Sequence, residues 1–435
     1  RRISDELGAT HWYLKLLRDS GVAARRLAQL LSTSQLVAET LIRAPGSVTW
    51  LGDNAELRPL SRSRLAGEVD AIVARAENSR QAVLSVRGLR RRENARVAAG
   101  WLLDVAETRE VAEALTDTAD LLLDAALRLA SADVAAENDL DRLPTSMHVI
   151  AMGRLGGREM GYGSDADVMF VHDPDHDADP EQAQRLATAV ATRLRALLQE
   201  TGTEPTLEVD ADLRPEGRNG PLVRSLASYA EYYARWASPW EAQALLRARP
   251  AAGDVGLGER FVELIDQYRY PAGGIDRKAI KEIQRIKARV EAERLPRGVD
   301  PARHLKLGRG GIADVEWTVQ LLQLAHAGDI PALRTTTTLD ALVAAVDAGL
   351  VAPHDARILA HAWELASSLR DAVVMYTGRR SGSGSDLLPH DLRDLAGVAR
   401  ILGYPAGAAA DLEEDYLRAS RRCRQVMERL FYGAS

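Results

Sequence analysis

The sequence has one cysteine, Cys423, in 435 residues, so it supports neither an internal disulfide framework nor a thiolate zinc site. Aromatic residues are scarce at 5%. Acidic residues outnumber basic ones, 62 to 56, leaving a net charge of −6. No basic, aromatic-studded groove is therefore expected, and nucleic acid and anionic membrane are excluded as partners drawn by a general positive field. No apolar run approaches the roughly 18–20 residues a membrane span needs. No signal-peptide pattern opens the chain, and the expected setting is the cytoplasm. Arg1 in first place points to a piece of a longer protein. Lysine is confined to positions 15, 278, 281, 287 and 306; with the abundant alanine, this is the mark of a GC-rich coding bias.

A hydrophobic share of 46% is ample for packed cores, and the length suits two to four domains. Residues 1–130 read as a helical domain. Leu65, Val69, Ile72 and Val73 recur on one helical face, as do Leu27, Leu30 and Leu31, then Val111, Leu115, Leu122 and Ala126. The helix after Ser34 should stop before Pro45. Residues 131–146 are polar, acidic and broken by Pro144, which predicts a linker. Within 147–255 the period changes. MHVIAMG (147–153) and ADVMFVH (166–172) are β-rich, Pro180 opens a helix carrying Leu186, Val190, Leu194, Leu197 and Leu198, and TLEVDADLRP (206–215) alternates as a strand. Helical spacing returns over 256–435, interrupted by an exposed loop at GRRSGSGSDLLP (378–389). The expected fold is α+β and multidomain: a small mixed-sheet core between an N-terminal helical domain and a C-terminal helical bundle.

The chemistry gathers in AMGRLGGREMGYGSDADVMF (151–170). Asp165 and Asp167, two apart where a strand begins, put both carboxylates on one side of the sheet. On the next strand Glu208, Asp210 and Asp212 share a face. Two such charges 4 Å apart repel by about 4 kcal/mol at an effective dielectric of 20, so the cluster calls for a proton or a divalent cation. Carboxylates with no His or Cys beside them favour Mg²⁺ or Mn²⁺ over zinc. Gly153, Gly156, Gly157, Gly161 and Gly163 allow close approach of the backbone to an anion. Metal-holding carboxylates beside an anion nest suit a nucleoside triphosphate.

The string MGRLGGREMGYGSDADVMF (152–170) resembles the nucleotidyltransferase signature, and in particular that of glutamine synthetase adenylyltransferases. The similarity continues in LEVDADLRPEGRNGPLV (207–223), SPWEAQALLRARPAAGD (238–254) and LKLGRGGIADVEWTVQLLQL (305–324), and reaches back to YLKLLRDS (13–20) and STSQLVAETLIRAPGSVTWL (32–51). The resemblance implies ATP as substrate and Asp165, Asp167 and Asp210 as the catalytic, metal-binding set. It places Gly153, Arg154, Gly163, Ser164, Arg214 and Lys306 around the nucleotide. It further implies glutamine synthetase as the protein modified, with a PII-type signalling protein and glutamine as regulators. Members of the family carry two such cores in tandem, one attaching AMP and one removing it. Here there is one, and its GYGSD form is similar to the carboxy-terminal, adenylylating half. Removal of AMP by phosphorolysis, and extension of nucleic acid ends, are the competing readings.

Asp212 stands where the family usually has arginine, so it either adds charge to the cluster or turns away. GRGGIADVEW (308–317) is either a tight turn capping a helix, with Asp314 and Glu316 near its positive end, or a loop that folds Lys306 and Arg309 onto the site. Arg87, Arg90, Arg91 and Arg92 read as a solvated helix face or as a patch for an acidic partner. Trp236, Trp240, Trp317 and Trp363 read as core. The His–Asp pairs at 172–173, 354–355 and 390–391 lack partner histidines, and Cys423 lacks a base.

Overall fold

The computed structural model describes residues 20–296, 298–379 and 385–433, together with Lys15 and Arg18. Most of the YLKLLRDS motif and residues 380–384 of the glycine- and serine-rich loop lie outside the described residues. The fold is α+β, with helices on both sides of a small mixed sheet.

The N-terminal helices are α1 (Gly21–Thr33), α2 (Gln35–Arg43), α3 (Arg62–Arg75), α4 (Ser79–Leu102) and α5 (Thr108–Glu137). Side-chain oxygens of Ser20, Ser34, Ser61 and Asn78 accept the first free N–H groups of α1 to α4. The α2 helix ends at Arg43, just before Pro45. The predicted linker is much shorter than expected. Ala130, Val134 and Ala135 are buried on the last turns of α5, which carry the helix to Glu137 through a polar sequence. Only residues 138–144 connect it to the sheet.

The sheet is formed by β1 (Thr145–Ala151), β2 (Ala166–Pro174), β3 (Val209–Asp210), β4 (Val223–Ser225) and β5 (Arg249–Gly253), in the order β3-β2-β1-β5, with β4 also pairing β2. The β1–β2 ladder is antiparallel, and β3 and β4 run parallel to the two ends of β2. Side chains alternate as the pleat requires. Val149, Ala151, Val168 and Phe170 join the core of the N-terminal helices and of α6 (Pro180–Gln199). Ile150, Met152, Met169 and Val171 pack on the other side, against Tyr229 and Tyr233 of α7 (Leu226–Trp236) and Phe261 and Ile265 of α9 (Val255–Arg269); α8 (Pro239–Leu245) lies between those helices in sequence. The strand expected over 206–215 is ladder-paired only at Val209–Asp210, because a turn follows at once: the Asp212 N–H donates to Asp210 Oδ1 at 2.7 Å.

The bundle contains α10 (Arg277–Glu293), α11 (Ile312–His326), α12 (Thr338–Asp347), α13 (Pro353–Thr377), α14 (Leu392–Ile401) and α15 (Ala409–Tyr432) around its own apolar core. Buried polar clamps join the three regions. Arg249 of β5 makes two bonds, 2.9 and 3.0 Å, to the fully buried Asp120 of α5. Arg247 reaches Glu159 at 2.5 Å and the Thr336 carbonyl at 2.8 Å, and Ser34 donates to the Met375 carbonyl at 3.0 Å. The arginine-rich stretch is a correction to the solvated-face reading. Arg87 and Arg91 are buried; Arg87 donates to the carbonyls of Glu200 and Pro205 at 2.8 and 3.0 Å, and Arg91 binds Glu204 at 2.6 Å. Trp236 departs from the core reading, being 71% exposed, whereas Trp363 is buried.

Candidate active site

Asp167 of β2 and Asp210 of β3 are direct neighbours across the parallel ladder. Asp165, immediately before β2, joins them: one carboxylate oxygen from each residue lies within 4.8 Å of the other two. Two neighbouring strands with period-two alternation suffice to create this arrangement. Among the described residues, no other group of His, Cys, Asp or Glu is placed to share a metal ion. The His–Asp pairs therefore form no such site there. His172, for example, is held between Thr145 and Gln184 inside the sheet.

The cluster is electrostatically unbalanced. Burial, then the charge of Asp165 and of Asp210, pushes the Asp167 carboxyl up to about 7, and Lys306 pulls the other way. Three hard oxygen donors in mutual repulsion match what Mg²⁺ or Mn²⁺ prefers. Gly153 completes the back of the site. Its φ is +51°, and an added Cβ would lie 2.1 Å from Asp167 Oδ2, so the turn after β1 and the carboxylate fit only without a side chain.

Two cavities share the carboxylate edge. One, of about 500 Å³, is lined by Tyr162, Gly163, Ser164, Asp165 and Glu208 from the sheet region, by Arg90 and Asn94 of α4, and by Lys306, Arg370 and Asp386 of the bundle. The other, of about 630 Å³, lies towards β3 and α6, with Asp165, Glu208, Asp210, Asp212, Arg195 and Arg214 in its walls. The first is thus a pocket at the meeting of all three regions, acidic along the strands, with Lys306, Arg90 and an Arg370–Asp386 ion pair of 2.6 Å among its other lining residues.

The structure brings Gly163, Ser164 and Lys306 into the first cavity with Asp165. Ser164 Oγ accepts the Gly161 N–H at 2.9 Å, which orders the loop leading into β2. Arg154 and Arg214 depart from the expectation. Arg154 is half-buried; its guanidinium lies 5.8 Å over the Trp363 ring and donates to the Glu159 carbonyl at 2.6 Å, and the residue lines neither cavity. Arg214 lines the second cavity, but its guanidinium is bound to the carbonyls of Ala211, Gly220 and Arg218, so it holds the turn after β3. Gly157 and Gly161 also serve packing rather than a nest, leaving room for the side chains of Arg247 and Asp371. Asp212 turns away from the cluster to pair with Arg218. In the second glycine motif, Lys306 faces the carboxylates, whereas Arg309 opens into a different cavity on the far side of the loop.

Arg90, Asn94, Arg370 and Asp386 were not singled out as site residues by motif or spacing. They come from helices and loops far away in sequence, and only the burial of Arg87 and Arg91 along the same face of α4 hints at the docking that delivers Arg90.

A family model described as Glutamate-ammonia ligase adenylyltransferase matches residues 24–264, and one described as GlnD PII-uridylyltransferase matches residues 281–431. The chain is 51% identical to the bifunctional glutamine synthetase adenylyltransferase/adenylyl-removing enzyme of Streptomyces avermitilis, over all of this chain and 44% of that protein. It is 50% identical to the proteins of the same name from Streptomyces coelicolor and Leifsonia xyli subsp. xyli, again over all of this chain and over 44% and 42% of theirs. The chain therefore spans less than half the length of these relatives. The first match alone covers more than half of the 435 residues, and the chain belongs to the glutamate-ammonia ligase adenylyltransferase family.

Proposed function

We propose that this chain transfers AMP from ATP to a tyrosine hydroxyl of glutamine synthetase, releasing pyrophosphate. The observation that carries the proposal is the convergence of Asp165, Asp167 and Asp210 beside a cavity whose opposite wall carries Lys306, Arg90 and Arg370. The three carboxylates hold Mg²⁺ or Mn²⁺, which when bound neutralises triphosphate charge and eases deprotonation of a hydroxyl beside it.

The protein's own part is positioning and charge. Lys306 and Arg370 face the triphosphate, and the tight turn at Gly153 lets phosphate oxygens approach the backbone. Ser164 orders the loop that presents Asp165. Asp210, at the border with the second cavity, orients the incoming tyrosine and takes its proton, which ordinarily leaves with a pKa near 10. The tyrosine oxygen forms a bond to the α-phosphorus as the bond to the bridging oxygen of pyrophosphate breaks.

The relatives' names include adenylyl removal, and the same carboxylates would serve phosphorolysis of AMP–tyrosine. The GYGSD form of the motif favours the forward direction. Control by a PII-type protein and glutamine, and a cytoplasmic setting, belong to the same proposal; no helix among the described residues is long and apolar enough to cross a membrane. The test is incubation with labelled ATP, Mg²⁺ and glutamine synthetase, with RNA in a parallel tube. Label is expected on glutamine synthetase in the wild type, and at a level about 10³-fold lower with Asp165→Asn or Asp167→Asn. Release of label from pre-modified enzyme by phosphate, without forward transfer, would assign the opposite direction.

A further inference from the structure

A cavity of about 740 Å³ in the bundle lies between α10, α15 and the loop that carries Lys306. Its lining is apolar in part, from Ala288, Ala292, Leu295, Leu307 and Leu417. Arg309 and Arg421 stand at its rim, both exposed, and neither has a hydrogen-bond or ion-pair partner among the described residues. Of the two acidic groups in the lining, Glu291 is ion-paired, with Lys287 at 2.9 Å and Arg424 at 2.8 Å, and Asp300 caps the Ala302 N–H at 2.9 Å. A partly apolar lining with two uncommitted guanidinium groups at its rim has the chemistry for an anion carried on a hydrocarbon body.

The loop forming one wall is also a wall of the nucleotide cavity. Lys306 faces Asp165, and the next residue, Leu307, faces the bundle cavity. Between the two the chain has no slack. The Leu305 N–H donates to the Asp386 carbonyl at 2.8 Å, and the Gly310 N–H donates to Asp314 Oδ2 at 2.7 Å. Gly310, with φ +74°, presses against α15 so closely that a Cβ would lie 1.8 Å from the Ser420 carbonyl. Asp314 is itself fixed by Lys287 at 2.6 Å and Arg424 at 3.1 Å. The loop is thus pinned at Leu305 and at Gly310, and Lys306 and Leu307 are adjacent residues between those anchors, facing different cavities.

We propose that this cavity is a second ligand site, for a small molecule bearing a carboxylate or phosphate on a hydrocarbon body, and that its occupancy is coupled to nucleotide binding through the loop of residues 305–311. The binding part stands independently of the catalytic reading above; the coupling part rests on it. Hexanoate is a suitable probe, since eight heavy atoms at an efficiency between those of tiny and of drug-sized ligands give a dissociation constant of about 1 mM. Saturation-transfer NMR on the 435-residue chain is expected to show hexanoate bound with this affinity, and neutral 1-hexanol at least about tenfold weaker. Arg309→Ala/Arg421→Ala, whose exposed side chains leave the melting curve in place, should weaken hexanoate about tenfold or more. No binding at about 10 mM, equal binding by the double variant, or equal binding of the alcohol overturns the site. The affinity for MgATP is measured with and without saturating hexanoate, and a change of about fivefold or more is expected. An unchanged value overturns the coupling. If MgATP fails to bind even without hexanoate, the catalytic reading falls while the hexanoate result still decides this site.

Discussion

Two acidic clusters obey opposite rules, although one loop serves both: Lys306 faces the first, and Asp314, eight residues further on, belongs to the second. At the sheet edge, three carboxylates converge and Lys306 is the cation weighed against them. In the bundle, the carboxylate of Asp314 is fully buried, yet Lys287, Arg424 and the Gly310 N–H take up both of its oxygens. The bundle cluster is neutralised within the protein and holds helices α10, α11 and α15 together. The sheet cluster keeps an excess of negative charge, which suits a divalent cation. Surplus charge of one sign, rather than the mere presence of carboxylates, separates a site from a clamp.

The contrast breaks most visibly if carboxylates are removed. Asp165→Asn and Asp167→Asn should each lower AMP transfer about 10³-fold with an undiminished melting temperature, because neutralisation relieves repulsion. Asp314→Ala should do the reverse. Removing the buried partner of Lys287 and Arg424, and leaving Lys287 only Glu291, costs about 3 kcal/mol, read as a lower denaturant midpoint. Gly153→Ala combines an unfavourable φ with a clash against Asp167, and should reduce transfer more than it lowers the melting temperature. Lys306→Ala should weaken MgATP binding about tenfold, measured by calorimetry, and leave folding alone.

The smallest effect is the dependence of stability on pH in chelator-treated protein. Asp167 has a folded pKa of about 7, above its ordinary value near 4, so the folded state binds the extra proton. Its stabilising contribution is full below pH 4 and is lost as pH rises through 7. Asp167→Asn should flatten the curve over this window, and so should Mg²⁺ added at the upper end; Asp314→Ala should lower the curve without that change of slope.

The sheet cluster was legible in the sequence because strand alternation puts Asp165 and Asp167 on one side and Asp210 on the neighbouring strand. The α+β architecture, the stop of α2 before Pro45 and the start of α6 at Pro180 followed from periodicity and proline. The opposite wall was not legible. Arg90 and Arg370 are ordinary arginines on long helices, and only tertiary docking carries them to the cavity. The same holds for Arg87 and Arg91, whose burial depends on acceptors more than a hundred residues away, a carbonyl of Glu200 for the first and the carboxylate of Glu204 for the second. The polar end of α5 stayed helical because a few alanines and a valine found the core, which composition read as a linker could not reveal. Where Arg154 and Arg214 find their acceptors was not legible either, because a motif position fixes the backbone and not the reach of a long side chain.

The central claim is that Asp165, Asp167 and Asp210 gather divalent cations around a nucleotide. Titration of Mn²⁺ followed by electron paramagnetic resonance, with a non-hydrolysable ATP analogue present, tests it directly. The account predicts protein-bound Mn²⁺ in the wild type and its loss in the Asp165→Asn/Asp167→Asn/Asp210→Asn variant; equal Mn²⁺ binding by the two proteins would contradict it.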